Sequence, residues 1–364
     1  MRRRKLRKRF ACEWAGSDAV NAILVTGGAG YVGAHACKAL AKAGYMPVVF
    51  DNLCTGHESF VRWGPLVEGD IRDQARVREA LRAHDIAAVL HFAACAYVGE
   101  SVINPHKYYD NNVAGTLSLL KAMMEMDIFT IVFSSSCAIY GEPDKIPIDE
   151  TAPKQPVNPY GASKLMIERV LLDYARAYGL QFMALRYFNA AGADPDSEIG
   201  ELRDPETHLI PRAMMAIQGY LRDFAVFGND YPTPDGTAIR DYIHVADLAD
   251  AHVAALRRLQ LGKPNGAYNL GTGRGSSVKQ VLEAIAAETG EILKTPTGMR
   301  REGDPAELVA DAALGRRELG WAPQRSDLET IVRTAWAWHC RAHPKKDEVK
   351  MRPPQDLSAV DRTL

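Results

Sequence analysis

The chain has 364 residues, with 44 lysines and arginines against 45 aspartates and glutamates, so its formal net charge is −1. This balance excludes a protein that binds nucleic acid or membrane surfaces through its overall charge. No apolar run reaches the roughly 18 residues that cross a bilayer, and we expect no membrane-spanning helix. The six cysteines show no C-x-x-C pair and no metal-like spacing, which favours free thiols and a cytoplasmic protein without a metal site.

Both ends of the chain differ from the rest. The first ten residues, MRRRKLRKRF, are densely basic, and no apolar stretch of the kind found in a secretory signal follows them. We expect residues 1–20 to form a disordered basic extension and residues 343–364 to form a flexible, polar tail. A basic arm is also compatible with a nucleic-acid-associated regulator. Deleting residues 1–20 would distinguish an enzyme from such a regulator, because an enzyme should keep its activity without these residues.

Between these ends, short apolar runs alternate with helix-like segments. The runs predict buried parallel strands at 22–27, 47–51, 87–93, 129–135 and 182–188. Helices are predicted at 31–44, 74–84 and 114–126. This alternation is typical of a doubly wound sheet of the α/β class. After Asn189 the alternation weakens, and we expect a first domain at 21–188 and a smaller lobe at 189–342, with some segments returning to the first domain.

A glycine-rich turn, TGGAGYVG at 26–33, follows the first predicted strand and precedes the first predicted helix. Glycines at such a turn permit the tight bend, the close approach of a pyrophosphate and the packing of the helix on the strand. The helix N-terminus then offers free N–H groups to the phosphates. Asp51 follows at the end of the second strand, where a carboxylate accepts from ribose hydroxyls and repels a 2′-phosphate. The pattern therefore predicts NAD as the cofactor.

Later strand ends should border the same site, because ligands of open α/β sheets bind beyond the carboxyl ends of the strands. Asp70 and Ile71 lie where an adenine edge is expected, and Phe92 with Ala93 follows the fourth strand. His91 ends that strand, and we interpret it as a core histidine with satisfied hydrogen bonds. As cofactor-binding residues in this first part of the chain we take Gly27, Gly30, Tyr31, Val32, Gly33, Asp51, Asn52, Asp70, Ile71, Phe92 and Ala93.

The segment NPYGASK at 158–164 places a tyrosine in the first turn of a helix, after Asn158 as N-cap and Pro159 at the first helical position. Lys164 is four residues on and shares the helix face with Tyr160. To act as a base near pH 7, the tyrosine needs its pKa lowered by roughly three units, and an adjacent ammonium supplies about one to three. Ser136 ends the strand FTIVFSSS, where its hydroxyl is expected beside the phenol.

The glycine-rich turn, the strand-end serines and Y-x-x-x-K together resemble the extended short-chain dehydrogenase/reductase family. Within it, residues 21–340 resemble the UDP-glucose 4-epimerases (UDP-galactose 4-epimerases). This resemblance rests on "FDNLCTGH", "YYDNNVAGTL", "SSSCAIYG", "LRYFNAAGA", "FGNDYPTPDGTAIRDYIHVADLADAH" and "RREGD". It implies a Rossmann-type sheet with a C-terminal sugar-nucleotide lobe, bound NAD, a homodimer, and inversion at C4 of a UDP-sugar.

The resemblance also assigns roles to individual residues. Ser136 and Tyr160 become the catalytic pair that contacts the sugar, and Lys164 becomes the partner of Tyr160. The resemblance implies that all three residues also contact NAD. Asn111 and Phe188 would complete the NAD pocket. The UDP-sugar contacts implied by the resemblance are Ser136, Tyr160, Asn189, Phe227, Arg240, Arg301 and Asp304.

Three positions depart from some relatives. Ala96 stands where certain members have a lysine near the NAD phosphates, and Ala138 replaces a threonine after the serines. Leu308 replaces a tyrosine that borders the sugar, and a smaller side chain there is expected to admit an N-acetylated sugar. A 4,6-dehydratase is disfavoured, because Ser136, Cys137 and Ala138 stand where such enzymes carry an acidic pair. The alternatives left open are a 4-epimerase of another UDP-sugar and a non-catalytic NAD-binding regulator.

Overall fold

A computed structural model describes residues 21–293, 295–300 and 305–343. The expected basic extension at 1–20 and the expected tail lie outside the described residues, apart from His343, which follows the last helix. Arg301 and Asp304, two of the expected UDP contacts, also lie outside them.

The strands of the described part are, in chain order, β1 (Ala22–Thr26), β2 (Met46–Asp51), β3 (Leu66–Glu68), β4 (Ile86–His91), β5 (Thr130–Ser136), β6 (Gln181–Tyr187), β7 (Asn189–Ala191), β8 (Val226–Phe227), β9 (Ile239–Arg240), β10 (Tyr242–His244), β11 (Gly266–Leu270), β12 (Ser276–Ser277), β13 (Thr297–Gly298) and β14 (Glu307–Leu308). The five strands predicted from the sequence are present within two residues of their predicted ends. The short β3 and the seventh sheet strand β11 were not predicted, since β3 has only three residues and β11 begins with glycine.

The helices are α1 (Tyr31–Lys42), α2 (Gln74–Ala83), α3 (Val98–Ile103), α4 (Pro105–Tyr108), α5 (Gly115–Glu125), α6 (Pro159–Tyr178), α7 (Leu209–Ile217), α8 (Val245–Gln260), α9 (Val278–Thr289), α10 (Ala313–Leu319) and α11 (Leu328–Ala342). A π-helical stretch, Tyr109–Ala114, joins α4 to α5, and single 3₁₀ turns lie at Glu58–Phe60 and Cys137–Tyr140. The three predicted helices are confirmed, each within two residues of its predicted ends.

Seven strands form one parallel sheet in the order β11-β6-β5-β4-β1-β2-β3. The prediction of a doubly wound α/β sheet is therefore confirmed. One face is covered by α1 and α8, whose apolar side chains pack with those of β1 and β6. The other face is covered by α2, α5 and α6. Because the strands are parallel, their carboxyl ends share one edge, and this edge positions the site described below.

The chain leaves this sheet after β6 and builds a smaller cluster of elements. Helices α7, α9 and α11 pack around their own apolar core. Small sheets accompany them, with the orders β10-β7, β12-β9-β14 and β13-β8. Strand β11 comes later in the sequence but pairs with β6 and so joins the main sheet. Helix α8 also comes later and packs on one face of that sheet.

Within the described residues, no helix is both long enough and apolar enough to pass through a bilayer. The five cysteines of this part are free thiols: Cys37, Cys54, Cys95, Cys137 and Cys340.

Candidate active site

Close backbone contacts explain the glycines of the turn between β1 and α1. Gly27 has a φ of +71°, and a Cβ there would lie 2.6 Å from the backbone N of Ala93. A Cβ on Gly33 would lie 2.1 Å from the carbonyl O of Gly27. Any side chain at Gly33 would therefore push α1 away from the turn. Both contacts bring backbone together at the carboxyl edge of the sheet.

The first turn of α1 is open to an anion. Its N-cap is Gly30, no side chain caps the helix, and no acidic residue occupies the first turn. The N–H groups of such a turn and the helix dipole favour a phosphate. Tyr31 and Val32 start this helix, and the Tyr31 hydroxyl donates to the carbonyl O of Gly192 at 2.6 Å. The turn fits the pyrophosphate of a dinucleotide.

Asp51 lies at the end of β2, beside this turn. Its two carboxylate oxygens accept backbone N–H groups from Ala29 at 3.0 Å and from Leu53 at 2.9 Å. Burial raises the pKa of Asp51, and these two hydrogen bonds oppose the rise. The carboxylate is thus held in one orientation, with the remaining lone pairs of its oxygens free to accept ribose hydroxyls.

Asp70 and its neighbours form a charged group at the next strand end. Arg72 donates two parallel hydrogen bonds to the Asp70 carboxylate, at 2.9 and 2.7 Å, and Asn52 donates a third at 3.1 Å. The Arg72 guanidinium is the main cause that lowers the pKa of Asp70 to about 2. Ile71 is buried in the core beside them. The structure therefore joins Asn52 and Asp70, both of which the sequence predicted as cofactor-binding residues.

The segment after β4 is tied to the end of β1. The N–H groups of Phe92 and Ala93 both donate to the carbonyl O of Thr26, at 2.9 and 3.0 Å. His91 is buried, and its ring nitrogens lie 2.7 Å from the Thr26 hydroxyl and 2.9 Å from the Thr116 hydroxyl. The interpretation of His91 as a satisfied core histidine agrees with this geometry.

A buried asparagine links the loop after β4 to helix α6. Asn112 accepts from the backbone N of Cys95 at 2.8 Å and donates to the Ser163 hydroxyl at 3.1 Å. Asn111, the expected NAD contact, donates to the side-chain oxygen of Asn112 at 3.0 Å. Sequence reasoning missed Asn112. The available signal was its place next to Asn111 in the sequence. The π-helical stretch, a conformation that often occurs at functional sites, is seen only in the structure.

Helix α6 begins as the sequence predicts. The Asn158 side chain accepts from the backbone N of Gly161 at 2.9 Å, and Pro159 occupies the first turn. Tyr160 follows, and the Lys164 ammonium lies 5.7 Å from the centroid of its ring. Lys164 donates to the carbonyl O of Ser134 at 2.8 Å, which anchors it to the end of β5.

Ser136 completes this group at the last residue of β5. Its hydroxyl accepts from the backbone N of Ala138 at 3.2 Å. The nearby Ser136 hydroxyl also acts to lower the pKa of Tyr160. Ser136, which is 24 residues before Tyr160 in the sequence, therefore lies together with Tyr160 and Lys164 at the carboxyl edge of the sheet.

Burial dominates the electrostatics of the pair. It raises the pKa of Tyr160 above its ordinary value, and the nearby Tyr187 adds to the rise. Burial also lowers the pKa of Lys164 to about 7. The sequence predicted a lowered pKa for Tyr160. In the protein alone the pKa is raised, because desolvation of both groups outweighs the charge of a lysine that burial itself tends to neutralise.

Two further residues at this site were missed. Tyr187 ends β6, and its hydroxyl lies 2.6 Å from that of Ser134. Arg203 belongs to the loop after β7, and its positive charge lowers the pKa of both Tyr160 and Tyr187. The position of Tyr187 at the end of a predicted strand, in "LRYF", could have indicated this residue. Nothing in the loop sequence "GELRDPETH" indicates the second.

The expected UDP contacts lie on the short strands beyond β6. The backbone N of Asn189 donates to the carbonyl O of Asp241 at 3.0 Å, where β7 meets β10. Arg240 ends β9 and donates to the carbonyl O of Ile239 at 2.7 Å. Phe227 is exposed on β8. The structure places these residues on three different small strands of the lobe.

Phe188 and Leu308 belong to one apolar cluster. Phe188 is buried and packs in this cluster with Ile139 and Tyr140, which follow β5, while Leu308 lies against it, partly buried. Leu308 is also paired with Arg240 across β14 and β9. Leu308 therefore lies between the end of β5, which carries Ser136, and the strand of Arg240.

Comparison with known proteins agrees with this geometry. Residues 23–271 match the NAD dependent epimerase/dehydratase family. The UDP-glucose 4-epimerase of Rhizobium leguminosarum bv. trifolii is 53% identical over 321 residues, which cover 88% of this chain and 98% of that protein.

Two solved structures are also similar. UDP-glucose 4-epimerase from Brucella ovis in complex with NAD has a TM-score of 0.85 and 56% identity, covering 87% of this chain and 98% of that one. The enzyme from Bifidobacterium longum in complex with NAD⁺ and UDP has a TM-score of 0.83 and 37% identity, covering 88% and 98%. The match extends over most of the chain, and it agrees with the doubly wound sheet, the open glycine-rich turn and the Ser-Tyr-Lys group. The protein therefore belongs to the NAD dependent epimerase/dehydratase family.

Proposed function

We propose that this protein is an NAD-dependent isomerase that interconverts UDP-galactose and UDP-glucose by inverting the configuration at C4. One observation carries the proposal: the half-buried Tyr160 lies beside Lys164 and near Ser136, at the sheet edge that also holds the glycine-rich turn. The similarity to UDP-glucose 4-epimerases over most of the chain supports the choice of substrate.

The residues present fit NAD. The open first turn of α1 would hold the pyrophosphate, and the oriented carboxylate of Asp51 would accept the adenosine ribose. Asn52, Asp70, Ile71, Phe92, Ala93, Asn111 and Phe188 would line the rest of the cofactor pocket, with Ser136, Tyr160 and Lys164 at its reactive end. A carboxylate at Asp51 would repel a 2′-phosphate, and this favours NAD over NADP.

In the proposed reaction, the Tyr160 phenolate removes the proton of the sugar 4-hydroxyl while Ser136 holds the same oxygen. When bound, NAD would supply a hydride acceptor, a positively charged ring and the hydride that restores the sugar. Tyr160 then gives the proton back. The reaction has no net oxidation, so the cofactor is regenerated in each turnover.

Inversion requires that the 4-keto sugar turns while the UDP end stays fixed. Firm contacts to UDP and loose contacts to the sugar meet this need. Arg240 and Arg301 suit the diphosphate, since guanidinium groups bind such oxygens in a fork. Asp304 would accept a hydroxyl, and Asn189 and Phe227 would border the nucleotide. Residues 189–342, apart from the segments that return to the main sheet, are the proposed substrate lobe.

The deciding experiment incubates purified protein with UDP-galactose, without added NAD, and measures UDP-glucose. Tyr160→Phe should lower kcat by about 10²–10⁴-fold, the range for loss of a general base, while the circular dichroism spectrum stays unchanged. Tyr45→Phe is the control, because Tyr45 hydrogen-bonds Gln260 away from this site. Normal turnover by Tyr160→Phe would contradict the assigned base.

We also propose a cytoplasmic homodimer. Exposed apolar side chains concentrate on the helices between β4 and β6: Val98, Val102, Ile103, Tyr109, Leu117 and Met166. A second copy of the chain would cover this surface. Sedimentation velocity tests the proposal, since a double variant Leu117→Glu, Met166→Glu should be monomeric if these helices pair, and an unchanged dimer would refute the assigned surface.

A further inference from the structure

A buried ion pair begins on α6 one helical turn beyond Lys164. Glu168 of α6 and Arg186 of β6 share two parallel hydrogen bonds, from Nη2 to Oε2 at 2.6 Å and from Nε to Oε1 at 2.9 Å. The side chains are 5% exposed for Arg186 and 9% exposed for Glu168. Such a forked contact holds the two groups in one relative orientation. The ion pair therefore joins α6 to β6 in a fixed geometry.

The carboxylate of the pair is also held by β5. The Ser135 hydroxyl donates to Oε1 of Glu168 at 2.6 Å, and Ser135 is fully buried. The neighbouring Ser134 accepts from the Lys164 ammonium at 2.8 Å through its carbonyl O. Lys164 and Glu168 are four residues apart and share one helix face, as Tyr160 and Lys164 do. Two successive residues of β5 thus hold two successive turns of the helix that carries Tyr160.

The arginine of the pair holds the turn that follows Ser136. Nη1 of Arg186 donates to the Tyr140 hydroxyl at 2.9 Å, and Tyr140 donates in turn to Oδ1 of Asn269 at 2.7 Å. The Arg186 guanidinium also lies 5.5 Å from the centroid of the Tyr140 ring. Tyr140 ends the 3₁₀ turn Cys137–Tyr140, which begins directly after Ser136. Arg186 therefore contacts both α6 and this 3₁₀ turn.

The 3₁₀ turn lies in close contact with the start of α6. A Cβ on Gly161, the residue after Tyr160, would lie 2.4 Å from the carbonyl O of Ala138 in the 3₁₀ turn. The backbone N of Ala138 donates to the Ser136 hydroxyl at 3.2 Å. A shift of the 3₁₀ turn relative to α6 would therefore change the separation of Ser136 and Tyr160.

A buried ion pair often contributes little net stability, since the cost of removing both charges from water is about as large as their attraction. Its directional hydrogen bonds have a different consequence here. They join β5, β6, α6 and the 3₁₀ turn at one point, and two of these elements carry the Ser-Tyr-Lys group. Side chains alternate along a strand, so the Ser135 hydroxyl and the pair lie on the other face of the sheet from the Ser136 hydroxyl. The pair thus acts through these elements and not on the reacting atoms.

We propose that Glu168 and Arg186 are positioning residues of the active site, which fix α6 and the 3₁₀ turn against β5 and so set the distance between the Tyr160 and Ser136 hydroxyl groups. The inference rests on the proposed function, in which Tyr160 is the base and Ser136 holds the same sugar oxygen. Proton transfer depends on hydrogen-bond distances, and a displacement of about 1 Å can lower the rate by about 100-fold.

The test compares the double variant Glu168→Gln, Arg186→Gln with the wild type, since changing both members avoids an unpaired buried charge. The matched control is Arg258→Gln, Glu318→Gln. Nη2 of Arg258 also lies 2.6 Å from Oε2 of Glu318, but this pair joins α8 to α10. UDP-galactose conversion is measured as kcat and KM, with kcat expressed per mole of bound NAD, and thermal unfolding is followed in parallel.

We expect Glu168→Gln, Arg186→Gln to lower kcat by about tenfold to 100-fold while KM for UDP-galactose stays within about twofold, because the expected UDP contacts belong to the small lobe. The control pair should keep the wild-type kcat even where it lowers the unfolding temperature. A folded Glu168→Gln, Arg186→Gln protein with wild-type kcat, or an equal loss of kcat in the control pair, would overturn the inference.

Ser135→Ala decides the question if the double variant does not fold. It keeps the ion pair and removes only the hydrogen bond from β5 to Glu168, so kcat should fall about threefold to tenfold, the equivalent of one lost hydrogen bond. A wild-type kcat in Ser135→Ala would then overturn the inference. Wild-type protein that does not convert UDP-galactose would refute the proposed function and this inference together, whereas active wild-type protein with fully active variants would refute the inference alone.

Discussion

At the scale of single residues, burial sets the charge of Tyr160 and Lys164, the proposed catalytic pair. It favours the neutral form of both Tyr160 and Lys164, since it raises the pKa of the phenol and lowers that of the amine. Burial thus opposes the ionisation of both side chains. Charge brought into the pocket is then needed to ionise the tyrosine, and the same low polarity makes each added charge more effective.

Leu308 is the residue at which we expect the choice of sugar to be made. It lies beside Phe188 and is paired with Arg240, and it is smaller than a tyrosine. We predict that the protein converts UDP-N-acetylglucosamine. Leu308→Tyr should lower that activity by at least tenfold, about 1.4 kcal/mol in transition-state free energy, because the ring would fill the space of the acetyl group.

Steady-state rates with both substrates check this prediction. UDP-galactose conversion by Leu308→Tyr serves as the internal control and should stay within about twofold. No turnover of UDP-N-acetylglucosamine by the wild type would show that Leu308 does not widen the sugar pocket.

At the scale of elements, the contact between the turn and α1 decides whether the cofactor site can form. Gly33 has no room for a Cβ, since the carbonyl O of Gly27 would lie 2.1 Å away. Gly33→Ala should displace α1, cost roughly 1–3 kcal/mol of stability as other overpacked sites do, and remove most of the NAD that copurifies with the protein.

The matched control is Gly99→Ala in helix α3. A Cβ there meets nothing within 4 Å, so a helical alanine should leave the NAD content unchanged and raise stability slightly. NAD is measured by chromatography after denaturation, and stability by thermal unfolding. Full NAD content in Gly33→Ala would show that the turn tolerates a displaced helix.

At the scale of the whole molecule, several histidines are buried in neutral form. Burial lowers the pKa of each to about 4, and of His91 to about 3. In the unfolded chain they bind protons near pH 6.5. Below that pH the unfolded state therefore binds more protons than the folded state. The stabilisation that the neutral histidines give the folded state is complete above pH 6.5 and is lost as the pH falls toward 4. These residues are His35, His91, His244, His252 and His339.

We predict that the free energy of unfolding, measured by urea titration, falls between pH 6.5 and pH 4.5. Each such histidine adds a slope of up to about 1.4 kcal/mol per pH unit. His252→Gln should reduce the slope, whereas His106→Gln, at an exposed position, should not. An equal slope in His252→Gln and wild type would contradict the assignment.

The order of elements was predictable because local patterns encode it. Strands β1, β2, β4, β5 and β6 each contain a short apolar run, and Asn158 with Pro159 marks the start of α6. The local geometry of the glycine-rich turn also follows from its sequence. Strand β3 is too short to predict, and β11, with the polar Asn269 and an initial glycine, becomes a strand only because β6 offers it an edge.

The sequence by itself determined the strand-and-helix alternation, the glycine-rich turn and the placement of Tyr160 and Lys164 on one helix face, because each depends on residues that are close together or on hydrophobic periodicity. Only the tertiary structure decided which charges face Tyr160. Desolvation and Coulomb interactions depend on distance in space, so the raised pKa of the phenol and the lowered pKa of Lys164 have no signature along the chain.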